Sequence, residues 1–228
     1  MKILALDTAL GGCSVAVLND RRTLAHEAQT MARGQAEMLL PMIERAMHTA
    51  GLDYAALDRL AVTIGPGSFT GLRIGLSTAR ALALATDRPL VGITTLEAIA
   101  QGTPAVERTG RTILVVLDSR RGDFFIQGFD SDIQPLTPPQ AVAPDDLAAL
   151  FPGDALLLAG DAAGAALAVL HTAGREAVAS QGSALPDARL VGALAALQPL
   201  SDRPVAPLYL RAPDVSLPKA AILQIGPQ

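Results

Sequence analysis

The sequence predicts an α/β protein built as two similar lobes around a cleft. Three observations point there. Short apolar runs of strand length alternate with helical patterns. The order β-β-(β)-α-β-α of the first half recurs after a linker rich in glycine and proline. The strand end Leu4-Ala5-Leu6-Asp7-Thr8 returns as Val115-Val116-Leu117-Asp118-Ser119, each an apolar run closed by an acid and a hydroxyl.

The elements follow in order. Residues 3–7 form a buried strand, Gly11-Gly12 turns the chain, and 13–18 return as a second strand. Residues 23–29 alternate apolar and polar side chains, as a half-exposed strand does. Met38, Leu39, Met42, Ile43, Ala46, Met47 and Ala50 then recur at helical spacing, and Gly51 suits the C-terminal cap. Pro41 fits that helix only in its first turn or at a kink. Residues 60–64 are a buried strand, 65–71 a tight loop, 72–86 a helix, 89–93 a strand and 96–101 a short helix.

Residues 101–110 read as the linker, with Gly102, Pro104 and Gly110. They divide a first lobe, 1–105, from a second, 106–228, whose last helix and proline-rich tail can return to the first. In the second lobe 112–118 and 124–129 are strands joined by a turn, 147–151 a short helix, 155–159 a strand, and 162–172 and 187–197 helices. The remainder is proline-rich and is expected to end in a loose tail.

Composition narrows the function. Of the 228 residues 50% are apolar and 18% charged, which suits a sizeable core and argues against extensive disorder. Mean hydropathy is +0.35, yet the most apolar stretch, 155–170, is interrupted by Gly160, Asp161 and Gly164. It falls short of the roughly 20 apolar residues that span a bilayer. The first residues reach Asp7 too soon for a signal peptide, and Cys13 is the only cysteine, so a cytoplasmic protein without a disulfide is expected. A net charge of −4, with arginines scattered along the chain, disfavours tight binding of nucleic acid by this chain alone.

The most informative segment is Ile64-Gly65-Pro66-Gly67-Ser68-Phe69-Thr70-Gly71-Leu72-Arg73-Ile74-Gly75. It joins a strand to a helix, where backbone N–H groups can meet an anion. It lacks the lysine of a P-loop, the third-glycine spacing of a dinucleotide fingerprint and the glycines that flank a hydrolase serine. Gly71, Gly75, Ala79 and Ala83 form a small-residue stripe that admits a close neighbour, either the chain's own core or another subunit.

This string is similar to the signature of the TsaB (YeaZ) family. Further resemblance lies in Asp7-Thr8, Leu39-Leu40-Pro41-Met42-Ile43, Asp118-Ser119-Arg120-Arg121-Gly122-Asp123 and Tyr209-Leu210-Arg211. The resemblance implies the actin-like fold of sugar kinases and heat-shock ATPases (the ASKHA fold). It implies a non-catalytic part in forming threonylcarbamoyladenosine beside the tRNA anticodon. The implied partners are a catalytic TsaD-type homologue and a TsaE-type ATPase, with another enzyme supplying threonylcarbamoyl-adenylate. ATP is then used by the complex through other subunits, tRNA is met only within the complex, and the chain alone self-associates.

The residues bear on that reading. His26, His48 and His171 are not at ligand spacing, and Gln35 stands where the family often carries histidine, so no metal site is expected. Asp7-Thr8-Ala9-Leu10 lacks the glycine of a phosphate hairpin, and Asp118 is followed by Arg120 and Arg121. Asp7, Thr8, Gly67, Ser68 and Asp118 remain the candidate nucleotide cleft, with no intrinsic cofactor and no catalytic residue assigned. Gly160-Asp161-Ala162-Ala163-Gly164 is a further candidate loop, or a helix-starting turn. Arg73 can reach a phosphate or a carboxylate. Met38, Met42, Gly71, Arg73, Gly75 and Ala79 are the expected partner interface, on two helices sharing an exposed face. The alternatives are a degenerate actin-fold ATPase or kinase, and a glycoprotease-type peptidase.

Overall fold

In the computed structural model residues 1–20, 22–201 and 203–211 are described. β1 (Lys2–Asp7) pairs antiparallel with β2 (Gly12–Asn19), and β2 with β3 (Arg22–Thr30). β4 (Arg59–Gly65) and β5 (Leu90–Thr94) join in parallel, giving the order β3-β2-β1-β4-β5. The parallel steps require helical crossovers, and α1 (Gln35–Ala50) and α2 (Phe69–Thr86) supply them. Leu39, Met42, Ile43 and Met47 of α1 close over Leu4, Leu6, Val15 and Leu60 of this sheet.

The second sheet repeats the plan. β6 (Thr112–Asp118), β7 (Phe124–Phe129) and β8 (Gln140–Val142) are antiparallel neighbours, while β9 (Leu156–Ala159) and β10 (Ala177–Ala179) run parallel to β6. Read outward from its first strand, its order matches that of the first sheet, which accounts for the duplicated strand ends. α5 (Pro144–Leu147) and α6 (Ala163–Thr172) accompany it. α3 (Thr95–Gln101) lies between the sheets: Leu96, Ile99 and Ala100 join Ala9, Leu10 and Leu72 to Ile113, Val115 and Leu117 in one core. α4 (Ala105–Arg108) is a single turn inside the linker.

α7 (Ala188–Leu197) packs on the first sheet, on the face away from α1. Ala188, Val191 and Ala195 meet Ile3, Ala5, Ala16 and Leu18. Buried Arg59, at the start of β4, donates from Nη1 to the carbonyls of Ala195 and Gln198 and so satisfies the C-terminal end of that helix. Beyond α7 the chain runs back along the first lobe: the Leu208 N–H donates to Ile64 O at 2.7 Å, and Val205 packs on the first core.

Several boundaries differ from expectation. α2 begins at Phe69 rather than 72, because the Ser68 hydroxyl accepts the Gly71 N–H and caps it. α1 begins at Gln35 and carries Pro41 inside it, exposed, where water can meet the carbonyl left without an N–H. The helix expected at 147–151 is instead Pro144–Leu147, with Pro144 in its first turn. The end of the chain, where a loose tail is expected, lies outside the described residues. Among the described residues no helix is long and apolar enough to cross a membrane.

Candidate functional site

A cleft of roughly 1110 Å³ opens between the lobes. Its floor and walls come from the β1–β2 turn at Leu10 and Gly11, the approach to α1 around Arg33, and the Pro66–Arg73 loop and helix start. The turn Asp118–Arg121, Asp161, and the returning segment Leu208–Arg211 complete it. Of the five residues expected in a nucleotide cleft, Gly67, Ser68 and Asp118 line this space. Asp7 and Thr8 do not: both are 1% exposed and lie beneath it. Their assignment to the cleft lining is therefore corrected.

Backbone packing explains the burial and the glycine string together. A Cβ on Gly67 would meet the carbonyl of Ala9, and one on Gly71 the carbonyl of Thr8, each at a separation that real Cβ atoms do not reach. The Ser68 N–H donates to Ala9 O at 2.7 Å, and the Thr8 hydroxyl donates to Gly71 O at 2.7 Å. The two glycines thus let the loop lie directly on the end of β1. Asp7 Oδ1 accepts from the Thr63 hydroxyl at 2.7 Å and from the Ala9 N–H at 3.1 Å. Burial pushes its carboxyl up to about 7 against these two hydrogen bonds.

Asp118, at the equivalent end of β6, has a different fate. Its side chain is 39% exposed and pairs with Arg120 at 3.3 Å, while Arg120 also reaches Asp161 at 3.7 Å. The Asp118 N–H donates to Asp161 Oδ1 at 2.9 Å, so Gly160-Asp161 ties β9 to the end of β6. Burial raises the Asp161 carboxyl above its ordinary range, opposed by that N–H and by Arg120. On the other wall the Arg73 guanidinium lies 3.7 Å over the Phe69 ring, and Phe69 stands 5.7 Å from Tyr209. Arg211 bridges to Asp123 of the β6–β7 turn, so the returning segment spans both lobes.

The small-residue stripe resolves as core. Gly71, Gly75 and Ala79 are buried, and a Cβ on Gly75 would lie 2.5 Å from Thr8 Oγ1 and 3.5 Å from Val62. Met42 is 2% exposed beneath α1. The expectation that these four residues present a face to a partner is corrected, because the chain's own sheet occupies that face. Met38 is half-buried and Arg73 exposed. The outward surface of the two helices carries Leu40, Phe69 and Leu84 instead, at 52%, 50% and 87% exposure.

The histidines lie apart. His26 Nε2 is 3.2 Å from Asp187, His171 Nε2 is 3.0 Å from Ala177 O, and His48 is exposed. Among the described residues no three His, Cys, Asp or Glu side chains gather as a cation site. Cys13 is buried, and its thiol is pushed up to about 11 by burial and by the nearby Asp7. Arg33, Phe69, Thr63 and Arg211 entered none of the sequence-based site. Scattered through the sequence, the arginines gave no sign that five of them line one cleft.

Two five-stranded sheets of one topology around such a cleft give the chain the actin-like fold class. Component A of (R)-2-hydroxyglutaryl-CoA dehydratase from Acidaminococcus fermentans shares that fold, with a TM-score of 0.51 over 86% of this chain and 98% of its own, at 11% identity. Within the class, residues 24–155 match the family described as TsaD: tRNA N6-adenosine threonylcarbamoyltransferase. The tRNA threonylcarbamoyladenosine biosynthesis protein TsaB of Escherichia coli is 39% identical over 133 residues, 58% of this chain and 56% of that protein. The chain thus spans little more than half the length of that curated relative. YeaZ from Pseudomonas aeruginosa superposes with a TM-score of 0.73 at 28% identity, over 85% of this chain and 90% of its own. The chain belongs to the family matched by residues 24–155, and within it is similar to TsaB and YeaZ.

Proposed function

We propose that this chain is a non-catalytic subunit required to form threonylcarbamoyladenosine in tRNA, which pairs with a TsaD-type catalytic homologue in the cytoplasm and activates it. One observation carries the reading: the end of β1, where an active member of this fold would hold phosphate and metal, is filled by the protein itself. Gly67 and Gly71 rest on the carbonyls of Ala9 and Thr8, and Asp7 is sealed below with Thr63. A TsaE-type ATPase joins the pair and supplies ATP hydrolysis, and tRNA is held by the assembled complex. The exposed apolar residues Leu40, Phe69 and Leu84 on α1 and α2 provide the pairing surface, which the isolated chain covers by self-association.

The test is reconstitution with purified TsaD-type and TsaE-type proteins, ATP, threonylcarbamoyl-adenylate and unmodified tRNA, read by mass spectrometry of the nucleosides. Modification is expected only when this chain is present with the TsaD-type protein. Modification by this chain without the TsaD-type protein would make it an enzyme, and turnover of ATP or peptide by the chain alone would favour the ATPase, kinase or peptidase alternatives. Full modification without this chain would remove it from the pathway.

A further inference from the structure

A groove of roughly 690 Å³ runs along the first lobe, beside the cleft but distinct from it. One wall is α2, through Phe69, Arg73, Ser77 and Arg80, and the other is the returning segment, through Pro207 and Tyr209. Phe69, Arg73 and Tyr209 also border the cleft, whereas Ser77, Arg80 and Pro207 belong to the groove alone. The second wall is held in place by the fold. The Leu208 N–H donates to Ile64 O, Arg80 donates to the carbonyl of Val205, and a Cβ on Gly92 would lie 2.8 Å from Val205 Cγ1. Aromatic side chains are scarce here: the chain has five phenylalanines, two tyrosines and no tryptophan. Phe69 and Tyr209 are nevertheless 50% and 45% exposed and stand 5.7 Å apart, with Arg73 over the Phe69 ring. Aromatic and arginine side chains gathered at a surface are typical anchors of protein interfaces.

We infer that this groove docks an extended, acidic, proline-containing segment of a partner protein. Charge selects the acid. Among the described residues no carboxylate lines the groove, and neither Arg73 nor Arg80 pairs with one. Arg80 uses one of its five N–H donors on Val205, so both guanidinium groups can fork onto carboxylates. Spacing selects the backbone. Arg73 and Arg80 are seven positions apart on α2, two turns and about 10 Å along its axis. A polyproline II chain presents the same face every three residues, about 9 Å, so acids at the first and fourth positions of such a segment meet the two arginines. The rings of Phe69, Tyr209 and Pro207 supply the apolar wall against which prolines pack. An RNA strand fits less well, because two arginines in a chain of net charge −4 offer few phosphate contacts. Leu40 and Leu84 of the pairing surface proposed above do not line the groove, so the inference stands whichever reaction the partner serves.

The test is fluorescence anisotropy of the full chain with labelled synthetic peptides made of Glu-Pro-Pro repeats, of Lys-Pro-Pro repeats and of Glu-Gly-Gly repeats, and with labelled oligouridylate. The Glu-Pro-Pro peptide is expected to bind, more weakly as salt rises, and at least tenfold more tightly than either other peptide. Arg73→Glu and Arg80→Glu should each weaken it at least tenfold, and Tyr209→Ala severalfold. Loss with Arg80→Glu assigns the peptide to the groove, since Arg80 does not border the cleft. Leu84→Asp should leave the affinity unchanged. Arg73, Arg80 and Tyr209 are exposed, and circular dichroism checks each variant. Arg73→Glu disturbs no contact with the returning segment, so it keeps the test decisive if Arg80→Glu unfolds. Failure of the Glu-Pro-Pro peptide to bind, equal binding of the lysine peptide, or binding indifferent to Arg73→Glu would each overturn the inference. So would oligouridylate binding more tightly and being lost with Arg80→Glu, which would make the groove an RNA site. Self-association abolished by Arg80→Glu in sedimentation velocity, with no peptide bound, would give the groove to a second copy of the chain and equally overturn it.

Discussion

Replacing Asp7 by asparagine should flatten the pH dependence of stability on the acid side of neutrality. In the folded protein the carboxyl titrates at about 7 because burial disfavours its charged form, whereas in the unfolded chain it returns to an ordinary 3.8. The native state therefore binds this proton more tightly than the unfolded state does. The stabilisation is whole below about pH 4 and is lost as pH rises toward about 7. At about 1.4 kcal/mol per pKa unit the loss is roughly 4 kcal/mol, a large fraction of the stability of a small protein. Asparagine keeps the oxygen that accepts from Thr63 and the Ala9 N–H but has no charge to bury. His26, whose pKa burial lowers, and Asp187, held low mainly by its bonds to Arg189 against burial, titrate in both proteins, so the difference between them isolates Asp7. Urea unfolding of wild type and Asp7→Asn across pH 4 to 8 is the assay. The two curves should meet at the acid end and separate by several kcal/mol above neutrality, with the variant the more stable. Parallel curves would mean that the carboxyl ionises without penalty and that its enclosure is not as described.

Three further outcomes are expected. Gly75→Arg should abolish cooperative unfolding and leave little soluble protein, because its Cβ would lie 2.5 Å from Thr8 Oγ1 and a charge would enter the core; a folded variant with a normal melt would refute the inward placement of the stripe. Leu84→Asp, at a residue 87% exposed, should change stability by less than about 0.5 kcal/mol yet weaken self-association and pairing with a TsaD-type protein, as read by sedimentation velocity. Cys13 should resist thiol reagents in the native protein near neutral pH and react at once in denaturant, since it is 1% exposed with a thiol pushed up to about 11.

What the sequence disclosed follows the strength of each local signal. β6 and β7 were legible at their observed bounds because both are long apolar runs with a turn of arginine and glycine between them. β8 and β10 have three residues each and lie at the edges of the second sheet, too short for a periodic signal, so they went unread. The glycine string was legible as a motif, but its purpose was not. Its glycines answer to the carbonyls of Thr8 and Ala9, some sixty residues away in sequence, and no spacing within the string encodes that contact. The same holds for Asp7 and Asp118, whose strand ends read alike. One is enclosed by Thr63 from a neighbouring strand, the other is left at the cleft rim beside Arg120. Helical periodicity showed that the Gly71, Gly75, Ala79 face must meet something close. It could not say whether the neighbour was the chain's own sheet.

The return of α7 to the first sheet has a consequence for how this protein comes into being. While the chain is being synthesised, β1, β2 and β4 emerge early, and α1 and α2 can cover one side of them. The other side, with Ile3, Ala5, Ala16 and Leu18, stays bare until residues 188–197 have been made. The chain must be made as far as Leu197 before its first sheet is closed, and contacts spanning so much sequence form slowly. A fragment ending at the linker would keep an oily sheet face turned to water, so the first half of the sequence should aggregate when expressed alone and should become soluble when the second half is supplied in trans.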